Sequence, residues 1–519
     1  MKTFLSKNWL KRARGFFPYF FVACIFLFTR VPYISQNVIP FSFDHGKDSV
    51  AILHMIRTMS PKLIGPWTSI PGVFFGSGWY YLLAPAYAIS NGNPVSAIVT
   101  MQILVLIQIF ILWKYFGKTE AVILGSAPSW IIMSKSAWNP FPMSLITILF
   151  FLFLRRIDAY PQKRMNYFLL AFIASMGFHF SAAFAIFYLA FLPIFLFFRK
   201  KMLDAQKIGA VILGFFIPFI PQLLFEVRHD FLQTRSVVAY FSSTSKDAFS
   251  LSRSLDVFRQ ITGELKLAVF PELFSRFDVQ IMLYTKLLFV FIFIGAMLSI
   301  LRTRIVPSYW REYAIFLFLP IFGYFFLHFN VWYVISLLPV VVFLVADMIR
   351  TLPWFFYGVY LVLMITTPIA HLHQYQKIEK YRLYESQEML PVKLRAIEWI
   401  RERAGTLRYR SFHYVPDIYD YSYQYIYLWQ AMQGKPLPVE FSYKPNETVY
   451  IPEKEELLRT LPQQQGTPER VFFIIEKPGV QRFFDEWWGQ QRYSRILSEV
   501  QISPDIKVIE ASSIESVLW

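Results

Sequence analysis

Six consecutive residues, Phe43-Asp44-His45-Gly46-Lys47-Asp48, form the sharpest chemical constellation in this chain of 519 residues. In a helix over 44–58, Asp44 and Asp48 share a face at i and i+4, with Lys47 and Arg57 nearby. A carboxylate held beside low-dielectric walls can take a proton from a hydroxyl. Asp44 and Asp48 together could hold a divalent cation, and the neighbouring cations could hold a phosphate. The plain alternative is a solvated helix start, with Asp44 as cap and Asp48 paired to a surface cation. Spacing alone leaves both open.

Four other stretches carry candidates, each with a structural alternative. Lys62-Leu63-Ile64-Gly65-Pro66-Trp67-Thr68 is a Gly-Pro turn whose Trp67 could stack on a sugar or anchor at lipid headgroups. At Trp138-Asn139-Pro140, Asn139 could bond a polar substrate or belong to a Pro-terminated helix cap. His179 lies at a turn between apolar runs, as a ligand or as an interfacial partner. Glu226-Val227-Arg228-His229-Asp230 ends an apolar run, where Glu226, Arg228 and His229 could meet phosphate or simply snorkel. No metal motif, phosphate-cradling glycine loop or serine-hydrolase elbow stands at convincing spacing.

The elements that must position these residues follow from composition. The chain is 55% hydrophobic, 19% aromatic and 16% charged, against about 25% charged in a soluble protein. Its single Cys24 closes no internal disulfide. The apolar residues gather into runs long enough for helices that cross a bilayer, which take about 20 residues each. Eleven spans are predicted, roughly 16–34, 95–113, 119–136, 141–155, 166–179, 180–198, 208–226, 280–301, 312–329, 332–349 and 353–370. The net charge of +17 is spread in short basic clusters between these runs. That pattern is one-sided membrane topology, not a nucleic-acid surface. Lys2, Lys7, Lys11, Arg12 and Arg14 precede the first run without a cleavage site after it, so an uncleaved first span with the N-terminus inside is expected.

This topology leaves three segments outside: about 35–94, about 227–279 and the tail, with the C-terminus outside. The second half of 35–94 reads as interfacial helices. The division is a transmembrane body over 1–370 and a soluble α/β domain over 371–519. In the tail, LRAIEWIRERAG reads as a helix stopped by Gly405 and VQRFFDEWWGQQ as helical, while RVFFIIE and IKVIEAS read as strands.

Ionisable residues are almost absent from mid-span depth; Glu226, Lys286, Glu312 and Asp347 lie near span ends. A lipid or solute transporter would be expected to carry central acids or paired broken helices. The chemistry is therefore expected on the external face, where no ATP is at hand and energy for a transfer must arrive in a lipid-linked substrate.

The elements FDHGKDS, LIGPWTS, FFGSGWYYLLAP, SAWNPFP, GFHFSAA and PQLLFEVRHDF, in this order, resemble the GT-C superfamily of lipid-dependent glycosyltransferases over about 1–370. Within it the chain is similar to the bacterial protein O-mannosyltransferase and lipid A aminoarabinose transferase group. The resemblance implies transfer of a sugar from a polyprenyl-phosphate donor to an extracytoplasmic acceptor (lipid, glycan or protein), with inversion, in the plasma membrane. It implies that Asp44 is the acid at the reaction centre. Many relatives have two adjacent acids where this chain has Asp44-His45, so Asp48 is the substitute second acid. Some relatives use a divalent cation (Mg2+, Mn2+ or Zn2+), which Asp44 and Asp48 would hold here. Lys47, Arg57, Arg228 and His229 are then candidates for the phosphate, and Trp67, Trp138 and Asn139 for the sugar. A related alternative is an O-antigen ligase or polymerase, which would use a pyrophosphate-linked glycan.

Overall fold

The computed structural model of the protein describes residues 20, 22–243, 250–271, 309–417, 419–447, 450–462 and 464–514. Helices form where the apolar runs are long: Val22–Ser35, Val95–Tyr115, Met143–Ala159, Arg164–Met176, Ala182–Phe197, Ala205–Arg228, Trp310–Tyr324, Val331–Ile349 and Trp354–Lys377. Four of them, Val95–Tyr115, Ala205–Arg228, Val331–Ile349 and Trp354–Lys377, are long and apolar enough to cross a membrane. The run expected as one span over 119–136 divides into Lys118–Ser126 and Pro128–Met133. Pro128 has no N–H to continue the first helix and opens the second instead. The expected span 280–301 lies outside the described residues.

Among the described residues, Arg155, Arg199, Arg311 and Arg350 of the basic clusters gather at one end of the bundle. Arg199 grips both oxygens of Asp158, at 2.6 and 2.7 Å, and reaches Glu312 at 3.3 Å. Arg350 pairs with Glu120 and, at 3.2 Å, with Asp347. Met143–Ala159 has 17 residues, so its two ends stand about 25 Å apart. Its C-terminal end belongs to the Arg199 network, and its N-terminal end adjoins Trp138 and Asn139.

Between Val22–Ser35 and Val95–Tyr115, the chain forms the helix Phe43–Arg57, the strands β1 (Ile64–Trp67) and β2 (Phe74–Gly76), and the helix Gly78–Ile89. The hairpin replaces part of what reads as interfacial helix. Gly65 makes it possible, since a Cβ there would sit 2.3 Å from the Gly76 carbonyl oxygen.

The C-terminal region is a mixed sheet with helices. Strands β3 (Tyr409–Tyr414), β4 (Glu440–Ser442), β5 (Arg470–Glu476), β6 (Ile496–Ser503) and β7 (Ile506–Ser512) lie in the order β4-β3-β5-β7-β6. β3 runs parallel to β4 and β5, while β7 runs antiparallel to β5 and β6. Side chains alternate between the faces. Phe412, Phe473 and Ile509 pack with Trp487 into a cluster of the sheet's own, whereas Phe472, Ile474 and Val508 join the core that continues through the helical bundle. The helix Tyr421–Met432 presses directly on Phe43–Arg57. At Gly46 a Cβ would lie 2.4 Å from the backbone nitrogen of Ser422.

Candidate active site

The N-terminus of Phe43–Arg57 is built to be held still. Ser42 stands at the cap, and the Nδ1 of His45 accepts from the Ser42 N–H at 3.3 Å and lies 3.0 Å from its hydroxyl. This is a capping box with histidine in the place usually taken by Glu or Gln. The proton of His45 is thereby assigned to Nε2, which meets the Ser136 hydroxyl at 3.1 Å. Burial drives the imidazole down to about 4, so His45 is neutral at physiological pH. It is a crossbar between two loops and does not replace a second acid.

Asp44 projects from this fixed end with its side chain 47% exposed, and Lys47 donates to its Oδ1 at 2.8 Å. The Lys47 stem is buried, and its ammonium lies 5.1 Å from the centre of the Phe43 ring and 5.3 Å from that of Trp67. Trp67, on β1, is half exposed. A carboxylate, an ammonium and an open indole face thus meet at one place reachable from solvent.

Asp48, one turn further on, is turned inward. It is buried, its Oδ2 accepts from the Trp79 indole at 2.7 Å, and its Oδ1 has no hydrogen-bond partner. Burial pushes its carboxyl up to about 7, with Lys47, Trp79 and Tyr80 opposing and Asp44 adding to the rise. Asp48, His45 and Trp79 line a cavity of about 10 Å³, room for one water and not for a sugar. The expected pairing of Asp44 and Asp48 on one accessible face is therefore corrected, because the packing of Trp79 covers the second acid.

The arrangement does not fit a divalent cation. Asp44 is matched by an ammonium, Asp48 by an indole, and both nitrogens of His45 are engaged. Among the described residues no three His, Cys, Asp or Glu side chains converge as a metal site would require.

The other candidates have separate places. Lys62 pairs with Glu453 of the C-terminal region at 3.1 Å. Trp138 packs on Phe141 and Trp332. Asn139 is buried and donates to the Phe180 carbonyl at 2.7 Å. His179 accepts from the Gly78 N–H and donates to the Pro218 carbonyl, each at 3.0 Å, and fixes the end of the hairpin. Glu226 accepts from the backbone of Gln233 and Thr234 at 2.9 and 3.0 Å, capping Leu232–Ser243. Its neighbourhood reaches the hairpin, where the Phe74 N–H donates to Gln233 at 2.9 Å. Arg57, Arg228 and His229 are exposed.

The C-terminal region supplies a wall that the sequence reading does not contain. Tyr421 meets the Phe43 ring edge-on at 5.4 Å, and Glu456 bonds His54 at 2.7 Å. Burial raises the Asp417 carboxyl above the ordinary range, with Lys393 opposing and Glu388 and Asp44 adding to the rise. Ser411, His413 and Asp420 have a nucleophile–base–orienter connectivity, at 3.0 and 2.5 Å. All three are fully buried, so no substrate reaches Ser411 and the relay serves to fix the start of Tyr421–Met432.

No family model and no curated relative matches this chain. The fold is similar to that of ArnT from Cupriavidus metallidurans in the apo state, with a TM-score of 0.55 and 10% identity over 98% of each chain. ArnT from Cupriavidus metallidurans bound to undecaprenyl phosphate gives a TM-score of 0.53 and 10% identity over 97% of this chain and 98% of that one. The likeness establishes the fold, a mostly helical bundle with several apolar helices and a C-terminal mixed sheet.

Proposed function

We propose that this protein is a multi-pass membrane glycosyltransferase that moves a sugar from a polyprenyl-phosphate-linked donor to a hydroxyl of an extracytoplasmic acceptor, with inversion. The observation that carries this reading is the Asp44–Lys47 pair at 2.8 Å, with Asp44 half open to solvent and Lys47 buried beside it, at the end of the bundle away from the basic clusters. Support comes from the fold, which is similar to that of a protein solved with undecaprenyl phosphate. In this reading eleven spans place the N-terminus inside, and the site and residues 371–519 outside.

The acceptor oxygen attacks the anomeric carbon from the face opposite the phosphate. A carbon–oxygen bond forms there as the bond to the phosphate oxygen breaks, and the electron pair leaves with the phosphate. Asp44 takes the acceptor's proton. The departing phosphate is already an anion and calls for charge stabilisation rather than for an acid. Lys47 has three N–H donors, so it can keep Asp44 in place and turn another N–H to the phosphate. Arg57, Arg228 and His229 are the further cations for the lipid headgroup, and Trp67 offers a face to the sugar.

The test is transfer of labelled sugar from polyprenyl phosphate in membranes, at equal protein levels. Asp44→Asn keeps the shape and removes the proton acceptor, and loss of a general base costs about 10²–10⁴-fold in rate. Near-normal transfer by this variant would reduce Asp44 to a helix cap and end the proposal.

A further inference from the structure

The first apolar helix holds a charge that the chemistry above does not use. Arg30 is 1% exposed and lies within Val22–Ser35. Its guanidinium donates to the Ser134 hydroxyl at 2.9 Å, to the Phe26 carbonyl and Thr29 hydroxyl at 3.0 Å, and to the Gly125 carbonyl at 3.4 Å. It also sits 3.6 Å from the centre of the Phe26 ring. Every one of these partners is neutral, and among the described residues no carboxylate pairs with Arg30. Removing a guanidinium from water without a counter-charge is costly, and an aliphatic side chain would fill the space at less cost. A cation kept among apolar helices on these terms points to an anion that it serves.

The connection to the site is short. Ser134 begins the turn whose Ser136 hydroxyl meets His45 at 3.1 Å, and Gln102 braces the same turn through the Ser134 carbonyl. Three residues span at most about 10 Å, which with the hydrogen bonds at either end of the turn puts the guanidinium within about 16 Å of the His45 imidazole that caps the Asp44 helix. We infer that Arg30 is a positioning residue for the donor, its unmatched charge behind the Asp44 helix drawing the phosphate anion to the site. This rests on the proposed transfer. With an effective dielectric of about 20, a unit charge about 16 Å away changes the affinity for a monoanion about fivefold.

The experiment uses the full chain in lipid nanodiscs and compares inhibition of transfer by undecaprenyl phosphate and by uncharged undecaprenol. Arg30→Lys keeps the charge and is expected to hold the wild-type preference for the phosphate within about twofold. Arg30→Met is expected to lose about fivefold of that preference with undecaprenol inhibition unchanged. Arg30→Gln, which keeps a donor for Ser134, is expected to match Arg30→Met and carries the test if the latter does not fold. An unaltered preference in the uncharged variants, or equal weakening of both lipids, overturns the inference and leaves Arg30 a structural residue. Absence of transfer by the wild type would instead overturn the proposed function.

Discussion

Replacing Asp48 by Asn isolates what it costs this fold to bury one carboxylate. The carboxyl rises from its ordinary 3.8 to about 7 in the folded protein. Below pH ~4 it is protonated in both folded and unfolded chains, and burial then carries no ionic cost. As the pH climbs from about 4 to about 7 the unfolded chain releases its proton while the folded one keeps it. Stability is therefore lost across that window, and the loss is complete once the pH passes the folded value. At 1.36 kcal/mol for each tenfold in acidity, the full loss is ~4 kcal/mol. The amide of Asp48→Asn still offers an oxygen to the Trp79 indole and cannot ionise, so this pH dependence disappears. Thermal melting in nanodiscs should give similar wild-type and variant midpoints at pH 4. At pH 8 the variant should melt several degrees higher. Taking the difference between the two proteins cancels every other titration. Parallel curves from pH 4 to pH 8, or a variant that melts lower at pH 8, would refute the argument that burial dominates at Asp48.

Gly46→Ala should lose ~1–3 kcal/mol by overpacking, although alanine favours a helix interior by up to about 1 kcal/mol over glycine; chemical denaturation measures the balance, and transfer should fall with it. Lys47→Met keeps the buried stem without the charge and should lower kcat about 10²-fold in the labelled-sugar assay, with wild-type expression. Topology is checked in a Cys24→Ser background with an impermeant maleimide. Lys435→Cys should be labelled from outside and Tyr160→Cys should not, and labelling at 160 would remove the eleven-span arrangement.

Much of the helical bundle was readable because an apolar run of about 20 residues permits few other structures. The Leu390–Ala404 helix ends before Gly405, which has a φ of +55°, as the glycine stop suggests. RVFFIIE and IKVIEAS are the neighbouring strands β5 and β7. The hairpin was less legible: aromatic-rich VFFG suits an interfacial helix equally well, and only the close approach of Gly65 to Gly76 distinguishes them. Asp44 and Asp48 share a helical face by spacing, yet spacing does not say how far a neighbour covers that face. Trp79 covers the second turn and leaves the first open. Arg30 is not legible in the sequence because one charge leaves a run apolar overall, and its partners are uncharged groups without a motif. The wall formed by Tyr421 and Glu456 joins segments far apart in the chain, a relation that no local pattern carries.

The contact between Gly46 and Ser422 also sets an order of events. Synthesis runs from the N-terminus, so the acid helix is complete well before the helix that seats against it. Until Tyr421–Met432 arrives, the Gly46 face of the Asp44 helix has nothing to rest on. A chain that stops short of residue 421 can therefore complete every apolar helix among the described residues and still leave the Asp44 end of its helix unsupported.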